Sequence, residues 1–415
     1  MDRFIPMNFI ILNYFFWDEL DVGSNRWNQM GHLLAATHAV TAISADGDLR
    51  RGDAVRAVHV PGNTTREGQV SGFRRSRLPA WRRSRLFRMV RDLVFFPDHQ
   101  IFWSQRAAQA ISRCLSTTLP NVLITSSPIH SVHVPVARII DSLSPRPLWI
   151  MDLRDPWTTD PAGIYSQKWP PFLYHRERQL EAFCHRKADA TTVIGPSFAE
   201  IIQQAFGIHA HVVCNGYMAA QIWTSQISDT APLTLRYFGR IIPGIRDPGI
   251  LFAAAAALCL TPSDLVFEFW SSDPAGIQET AARCGVTHLV RTYPRVAHAE
   301  ALCLERTAYA NLVLNGTQPA TDHILTTKLF EFLASGRPVV AVTGVQSDMA
   351  NVLKDCGCDA IVSDIRSAKE ALVRLRERKL GAPNANRLHY TRESAVDDLL
   401  KIITAIVTKD LNANE

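Results

Sequence analysis

Short apolar runs alternate with segments of helical periodicity along most of the 415-residue chain. The runs NFIILNYFF, HAVTAIS, NVLITSS, PLWIMDLRD and KADATTVIG predict strands, and PSFAEIIQQAF is typical of an amphipathic helix. Continuous apolar runs of this length favour strands that are buried on both faces of a parallel sheet. Strands separated by helices form right-handed βαβ units, so we predict an α/β protein with doubly wound parallel sheets.

The alternation weakens at residues 217–232, which are polar and unpatterned, and it resumes with LTLRYFG and ANLVLNG. A chain of this length exceeds one ordinary core, so two domains are expected. We predict Rossmann-like domains at 1–216 and 233–390, joined by this linker. A final helix is expected at 391–415, for which we consider packing back on the first domain. Doubly wound sheets bind ligands at the carboxyl ends of their strands, which places the expected chemistry in a cleft between the domains.

The segment TTKLFEFLASGRPVVAV predicts a helix, a stop and a strand. Thr326 or Thr327 can cap the start of the helix, and Gly336 suits its end. Lys328 and Glu331 stand three residues apart and project together from the other face of the helix. One interpretation is a solvated ion pair. The other is a ligand site at the helix N-terminus, where backbone N–H groups and Lys328 meet an anion and Glu331 accepts from hydroxyl groups.

Charge is modest overall but uneven along the chain. The formal net charge is +5, and 20% of the residues are charged. Eight arginines fall within Arg74–Arg91, with no acidic residue among them and with Phe, Leu and Trp between them. This basic cluster suits contact with anionic lipid or with a lipid-diphosphate acceptor. A solvated helix face or loop is the alternative, and no recognised module supports binding of nucleic acid.

Two further features bear on location. No segment reaches the ~18 uncharged apolar residues that a membrane span needs. The eight cysteines are scattered and form no CxxC pair, which indicates reduced thiols and not a zinc site. We therefore expect a cytoplasmic protein, with Arg74–Arg91 as a peripheral contact at the inner face of the membrane.

Several segments between about residue 9 and residue 345 resemble glycosyltransferase family 4. They are FPDHQIFW, ITSSPIHSVH, PLWIMDLRDPWT, VVCNGY, YFGRIIPGIRDP, YPRVAHAEAL and TTKLFEFLASGRPVVAV, in that order. One branch of the family carries a D-x-R-D-P-W motif, which the third segment matches.

The resemblance implies the GT-B fold, with two Rossmann-like domains and an interdomain cleft. It also implies a retaining enzyme that moves a sugar from a nucleotide-diphosphate sugar to an acceptor hydroxyl, in surface polysaccharide or lipid-linked glycan synthesis. A sugar-nucleotide epimerase and a non-catalytic sugar-nucleotide or glycan-binding relative remain as alternatives.

The resemblance implies a diphosphate site in the second domain. Family members place an Arg directly after a strand-ending Gly, which corresponds to Gly239 and Arg240, and a Lys several residues on, where Arg246 stands here. Guanidinium groups suit a diphosphate because they donate two hydrogen bonds in parallel. They would cancel the charge that grows on the leaving group as the sugar departs.

The same resemblance assigns roles around the helix that begins at Thr326 or Thr327. Thr326 and Thr327 would lend backbone N–H groups to the diphosphate, with Lys328 adding charge nearby. Glu331 matches the Glu that accepts from the ribose hydroxyls. The family's first Glu, a sugar contact eight positions earlier, is replaced by His323, with Asp322 beside it.

Candidate residues on the acceptor side lie in the first domain. Gly23 and Ser24 are expected in the loop between the first strand and its helix, where small residues let backbone approach a phosphate. An ordinary turn is the alternative. His130 follows the SSP turn. Asp155 ends the D-x-R-D motif, and we expect it to contact a sugar or acceptor hydroxyl, unless it only pairs with Arg154.

A metal is not expected. Asp46-Gly47-Asp48 is a D-x-D sequence, but two nearby carboxylates alone make a poor divalent-metal site. Because Arg240 and Arg246 would neutralise the diphosphate, we predict metal-independent chemistry with no cofactor beyond the nucleotide sugar that is consumed.

Overall fold

The computed structural model describes residues 5–17, 22–46, 54–62, 93–164, 169–224 and 233–413. The chain divides into two compact units. Unit 1 comprises Met1–Ile194, Ala199–Val213 and Val396–Glu415, and unit 2 comprises Gly195–Phe198 and Cys214–Ala395. The Arg74–Arg91 cluster, Gly47 and Asp48 lie outside the described residues, as does the later half of the expected linker.

Unit 1 is built on a seven-stranded parallel sheet. Its central strands are buried along their whole length, as their continuous apolar runs predict. The strand order is β3-β2-β1-β4-β5-β6-β7. The strands are β1 (Asn8–Leu12), β2 (Ala39–Ser44), β3 (Arg56–His59), β4 (Asn121–Ser126), β5 (Leu148–Leu153), β6 (Ala190–Val193) and β7 (Ala210–Val212), and the helices are α1 (Val22–Ala35), α2 (Ile101–Ala110), α3 (His133–Ile139), α4 (Pro171–Lys187) and α5 (Pro196–Phe206), which continues from unit 2.

Unit 2 repeats this plan with six parallel strands in the order β10-β9-β8-β11-β12-β13. The sheet's apolar side chains pack with those of the flanking helices into one buried cluster. The strands are β8 (Thr234–Phe238), β9 (Val266–Trp270), β10 (Val290–Tyr293), β11 (Ala310–Gly316), β12 (Val339–Thr343) and β13 (Ala360–Val362), and the helices are α6 (Gly249–Ala257), α7 (Pro274–Arg283), α8 (His298–Thr307), α9 (Thr327–Ser335), α10 (Asp348–Asp355), α11 (Ile365–Arg376) and α12 (Arg392–Ala413), whose later residues belong to unit 1.

Both sheets reverse their strand order once. In unit 1 the chain moves outward from β1 in one direction and then returns to add β4 on its other side, and in unit 2 the same reversal separates β8 from β11. A crevice opens at the carboxyl ends of two strands where the order reverses, and ligands of doubly wound sheets bind there. The predicted α/β class with two parallel-sheet domains is therefore confirmed.

Helix α9 forms as the sequence predicts. Thr326 is its N-cap, and its side-chain hydroxyl accepts from the backbone N–H of Lys328 at 3.4 Å. Gly336 ends the helix with φ +70°, and a Cβ at this glycine would lie 2.6 Å from a backbone carbonyl oxygen. Phe332 and Leu333 are buried on one face of the helix. Their burial stabilises the helix by about 1.5–3 kcal/mol for each side chain.

One local prediction is wrong. Gly23 and Ser24 do not form a loop before the first helix but lie in the first turn of α1. The reason is that Ser24 begins the buried stripe of this helix, which continues at Trp27, Met30 and Leu34 with helical spacing. The backbone N–H groups of this first turn still lack partners within the helix.

Among the described residues, none of the helices combines the length and the apolar character that crossing a membrane requires.

Candidate functional site

The charges of three cations act on the hydroxyl group of Tyr237, near the carboxyl end of β8. Tyr237 is buried, and burial raises its pKa to about 12, while the positive charges of Arg246, Arg240 and Lys328 act in the opposite direction. The interaction between two charges weakens with the distance between them. The predicted phosphate ligands of the β8 loop and the lysine of α9 are therefore close enough to Tyr237 to act on its hydroxyl group.

The loop after β8 folds back on itself and holds the two arginines. Its base is a pair of backbone hydrogen bonds between Ile242 and Arg246, at 3.2 and 2.8 Å. The Tyr237 hydroxyl donates to the carbonyl oxygen of Arg240 at 2.9 Å. A Cβ at Gly239 would lie 3.0 Å from that hydroxyl oxygen, so a residue without a side chain is needed for this approach.

The same loop lies at the strand-order reversal of unit 2. The carbonyl oxygen of Ile245 is 3.4 Å from where a Cβ on Gly316 would stand, and Gly316 is the last residue of β11 with φ +77°. Arg240 is exposed, and Arg246 is half-buried. This is the place where a doubly wound sheet receives an anionic ligand.

Lys328 and Glu331 belong to a larger charged network on helices α8 and α9. The Lys328 ammonium contacts Glu331 at 2.5 Å and Glu305 at 3.0 Å, and His298 Nε2 lies 2.9 Å from the other oxygen of Glu331. Glu305 is fully buried, and its Oε2 receives no hydrogen bond from the described residues. Lys328 and Glu331 therefore form an ion pair that is largely buried and belongs to a network of four groups, and their role at a ligand site stays a prediction.

Burial and the contacts within the network determine which of its groups are protonated. Burial raises the pKa of Glu305 to about 7, against the effect of Lys328. Burial also acts to raise the pKa of Glu331, but the Lys328 ammonium and the hydrogen bond with His298 hold it below its ordinary value. The hydrogen bond with Glu331 raises the pKa of His298. Glu331 is thus the ionised member, and Glu305 is the member that titrates near neutral pH.

An aromatic stack lies beside this network and was not anticipated from the sequence. Phe238 and Trp270 stack with ring centroids 4.8 Å apart, and Trp270 and Tyr293 stack at 4.7 Å. The Lys328 ammonium lies 5.8 Å from the Phe238 ring centroid. The three rings belong to the last residues of β8, β9 and β10. An aromatic residue at the end of each of these strands is the feature of the sequence that could have indicated the stack.

The structure places His323 in the interior of unit 2. Its side chain is 3% exposed, and its ring centroid is 6.4 Å from that of Phe198. Burial raises the pKa of the neighbouring Asp322. No contact of His323 with the Arg240 loop is seen among the described residues, so its donor-sugar role stays a prediction.

Unit 1 has a pocket of about 260 Å³ beside the end of β4. Two of the four acceptor-side candidates, His130 and Asp155, line it, together with Asp98, Trp157 and Glu177. His130 stacks on Trp157 with ring centroids 5.3 Å apart and planes 6° from parallel. The sequence thus predicted two of the polar residues of this pocket.

Burial sets the protonation of the pocket's ionisable groups. It raises the pKa of Glu177 to about 7, against the hydrogen bond from Trp157, and it raises the pKa of Asp98. It lowers the pKa of His130 to about 4, so this imidazole is neutral at pH 7. Asp98 is held in place by Ser131, whose N–H and hydroxyl donate to it at 2.8 and 2.7 Å.

The other polar residues near the D-x-R-D motif are structural. Asp152 is fully buried and accepts from the Trp27 indole, the Ser126 hydroxyl and the Thr192 hydroxyl, each at 2.8 Å. His133 is also buried and lies 2.7 Å from the hydroxyl of Thr125.

In the described part of the chain, no group of three or more His, Cys, Asp or Glu residues could hold a metal ion. The carboxylate of Asp46, the one described acid of the D-x-D sequence, accepts from the backbone N–H groups of Phe16 and Trp17.

The two parallel-sheet units define the GT-B fold, the architecture of a large class of glycosyltransferases. Neither a protein-family model nor a curated protein matches the sequence. The chain is similar to the apo lipopolysaccharide outer core galactosyltransferase WaaB, with a TM-score of 0.60 and 11% identity over 96% of this chain and 99% of that one.

Two further solved structures share the fold. A sucrose-phosphate synthase from Thermosynechococcus elongatus gives a TM-score of 0.57 and 13% identity, covering 97% of this chain and 100% of that one. A glycosyltransferase from Rickettsia africae ESF-5 gives a TM-score of 0.57 and 10% identity, covering 97% and 99%. At these identities the similarity establishes the fold.

Proposed function

We propose that this protein is a retaining glycosyltransferase of the family 4 type, which moves a sugar from a nucleotide-diphosphate sugar to an acceptor hydroxyl. The observation that carries the proposal is the position of the loop with Arg240 and Arg246 at the strand-order reversal of unit 2, with Lys328 close enough for its charge to act on the same tyrosine of β8. A diphosphate is the ligand whose charge this set of cations matches. The glycosyltransferases that share the fold add support.

In this proposal Arg240 and Arg246 bind the diphosphate, and Gly239 lets the loop approach it. The N-terminus of α9 donates backbone N–H groups from Thr326 and Thr327. Lys328 leaves its two carboxylates to reach the phosphate, while Glu331 keeps its contact with His298. Glu331 then accepts from the ribose hydroxyls.

The reaction is a front-face substitution. The bond between the sugar's anomeric carbon and the diphosphate oxygen breaks, and the acceptor oxygen bonds to the same face of that carbon. The acceptor proton passes to the leaving diphosphate, whose charge Arg240 and Arg246 neutralise. No side-chain nucleophile and no metal are required. His130 and Asp155 contact the sugar or the acceptor, and Gly23 and Ser24 lie on the acceptor side.

The setting that we propose is the cytoplasmic face of the membrane. The acceptor would be a growing surface polysaccharide or a lipid-linked glycan, in line with the lipopolysaccharide enzyme that shares the fold. Contact with anionic lipid would come from the Arg74–Arg91 cluster, which stays a prediction because it lies outside the described residues.

The test is release of nucleoside diphosphate from a panel of nucleotide sugars, with and without lipid extract. Arg240→Ala should lower turnover at least 100-fold, the order of magnitude for a preorganised transition-state contact. Arg283→Ala is the matched control. Arg283 is exposed and is the last residue of α7, so it lies toward the amino ends of the strands and not at the carboxyl ends. Equal turnover in the two variants would refute the role of Arg240.

Two other outcomes favour the alternatives. Conversion of the donor sugar without any acceptor would indicate an epimerase. Binding of a nucleotide sugar without turnover under any condition would indicate a non-catalytic binding protein.

A further inference from the structure

Large apolar side chains are exposed together on the surface of unit 1, in the segment that precedes α2, on α2 and at the start of α4. They are Leu93, Val94, Phe102, Phe172 and Tyr174. Phe172 is 58% exposed and Val94 is 51% exposed. Single exposed apolar residues are ordinary on a protein surface, but a contiguous group of them marks a site of interaction.

Ring contacts join the two segments into one surface. The rings of Phe95 and Phe102 have centroids 5.7 Å apart, and those of Phe96 and Trp169 are also 5.7 Å apart. The guanidinium group of Arg176, on α4, lies over the Phe96 ring at 5.6 Å from its centroid. Because Phe95 and Phe96 are consecutive in the chain, the aromatic residues near α2 and those near α4 are contiguous.

The two helices repeat one arrangement of side chains on this surface. Phe102 and Arg106 are both exposed on α2, and Phe172 and Arg176 are both exposed on α4. Each pair is four residues apart, so its members project from the same face of their helix. An exposed ring with a long cation beside it suits a boundary between apolar and anionic layers, since the ring enters the one while the guanidinium group reaches the other.

Charge favours an anionic partner for this surface. The segments 93–106 and 169–178 contain two acids, Asp98 and Glu177, and neither of them is exposed. In the sequence, the eight arginines of Arg74–Arg91 end just before this surface begins. A second copy of the chain is a less suitable partner, because a two-fold contact would bring the same cations together from both copies.

We propose that this surface docks on an anionic lipid bilayer, with Phe102 and Phe172 in the boundary between headgroups and acyl chains and with Arg106 and Arg176 at the lipid phosphates. Aromatic rings are favoured at that depth, and guanidinium groups bind phosphate. The inference deepens the proposed function, because it adds an apolar anchor within the described residues to the lipid contact expected of the Arg74–Arg91 cluster.

Docking in this way brings the pocket of unit 1 to the membrane. Pro97, His99 and Gln100 line that pocket, and they lie in the chain between Phe96 and Phe102. Glu177, which also lines it, directly follows Arg176. The rim of the pocket therefore belongs to the same two segments as the docking surface. Only the use of this pocket by a lipid-linked acceptor rests on the proposed function.

Flotation of the full chain with vesicles tests the docking. Vesicles of phosphatidylcholine alone are compared with vesicles that also contain phosphatidylglycerol, and we expect binding to the anionic ones. The double variant Phe102→Asp with Phe172→Asp should bind them at least about tenfold more weakly, because it removes both rings from the boundary.

The double variant Val345→Asp with Ile365→Asp is the matched control. It introduces the same two charges at exposed apolar positions of unit 2 and should leave most of the binding intact. The pair Phe102→Ser and Phe172→Ser removes the rings without adding charge, so it should also bind more weakly. This pair decides the result if the aspartate variant does not fold.

Three results would overturn the proposal: no flotation of the unaltered protein, equal flotation of the ring variants and the control, or equal binding to neutral and anionic vesicles. Sedimentation equilibrium covers the other occupant, since a dimer that only the ring variants dissociate would make this surface a contact between copies. Release of nucleoside diphosphate is scored separately. An active transferase that does not float refutes this inference alone, and vesicle binding by an inactive protein refutes only the proposed function.

Discussion

The ammonium group of Lys328 lies 3.0 Å from the carboxylate of Glu305, a residue of α8 whose side chain is 1% exposed. Because burial raises the pKa of Glu305 to about 7, this carboxyl group gains its charge as the pH rises through neutrality. Lys328 is then held by two carboxylates and is less available to a phosphate. The affinity for a nucleoside diphosphate should therefore fall between pH 6 and pH 8.

The variant Glu305→Gln tests this coupling. It keeps the shape of the side chain but cannot ionise, so the fall in affinity of about 3- to 10-fold should disappear. Calorimetric titration of ADP and UDP at both pH values measures it. Glu300→Gln, at an exposed position of the same helix, is the control and should keep the unaltered profile. A variant that retains the pH dependence would show that another group is responsible.

Two helix caps of unit 2 should differ in strength. Thr326 accepts from the N–H of Lys328 at 3.4 Å, and Ser347 accepts from the N–H of Ala350 at 3.1 Å. Replacing a cap by Ala costs about 0.5–2 kcal/mol, and the shorter bond should lie nearer the upper end. Urea denaturation of Thr326→Ala and Ser347→Ala compares them. Only Thr326→Ala should also weaken nucleoside diphosphate binding, and a reversed order of stabilities would contradict the geometry.

Asp152 should be required for stability. Its carboxylate lies 3.4 Å from the guanidinium group of Arg26, and both side chains are almost completely buried. Asp152→Asn removes this buried counter-ion from the guanidinium group, and breaking a buried pair costs about 3–5 kcal/mol. The free energy of unfolding in urea measures the loss.

The double variant with Arg26→Met is the control for this explanation. It removes the buried guanidinium charge as well, so it should be more stable than Asp152→Asn alone. Unchanged stability of Asp152→Asn with loss of turnover would indicate a direct role in the reaction instead.

Glu181 should make unit 1 less stable as the pH rises. Its side chain is fully buried, and burial raises its pKa to about 7 from an ordinary value near 4.5. The protonated form is therefore favoured by folding, so its stabilising contribution is complete below about pH 4.5 and is lost as the pH rises to about 7. The upper limit of this loss is about 3 kcal/mol.

Thermal unfolding at pH 5 and pH 8 checks the effect. Glu181→Gln cannot ionise, so the difference in stability between the two pH values should shrink. Glu200→Gln is exposed and should leave the difference intact. An equal change in both variants would show that burial of Glu181 is not the cause.

The strands of both units were largely predictable because each is a continuous apolar run. The helix α9 was predictable in detail, since Thr326 and Gly336 mark its two ends. The helix α4 was not predicted, because Glu177 and Glu181 occupy its buried face and break the apolar periodicity. The edge strand β3 was not predicted, because it has only four residues and alternates in polarity.

The candidate site was also predictable only in part. The spacing of Lys328 and Glu331 reveals their pairing, because three residues along a helix fix the geometry. Glu305 is 23 residues away in sequence from Lys328, and only the packing of α8 against α9 joins them. The position of Glu177 was equally hidden, because the pocket that it lines is assembled from four separate parts of the chain.

Unit 1 takes its last piece from the end of the chain, since Val396–Glu415 belongs to it and Cys214–Ala395 does not. Leu399 and Ile403, both almost completely buried, are thus synthesised only after the whole of unit 2. Nearly two hundred residues are translated between the sheet of unit 1 and the last helical residues of this unit. A chain terminated at Ala395 would keep every strand of both sheets and yet leave unit 1, the unit that is synthesised first, incomplete.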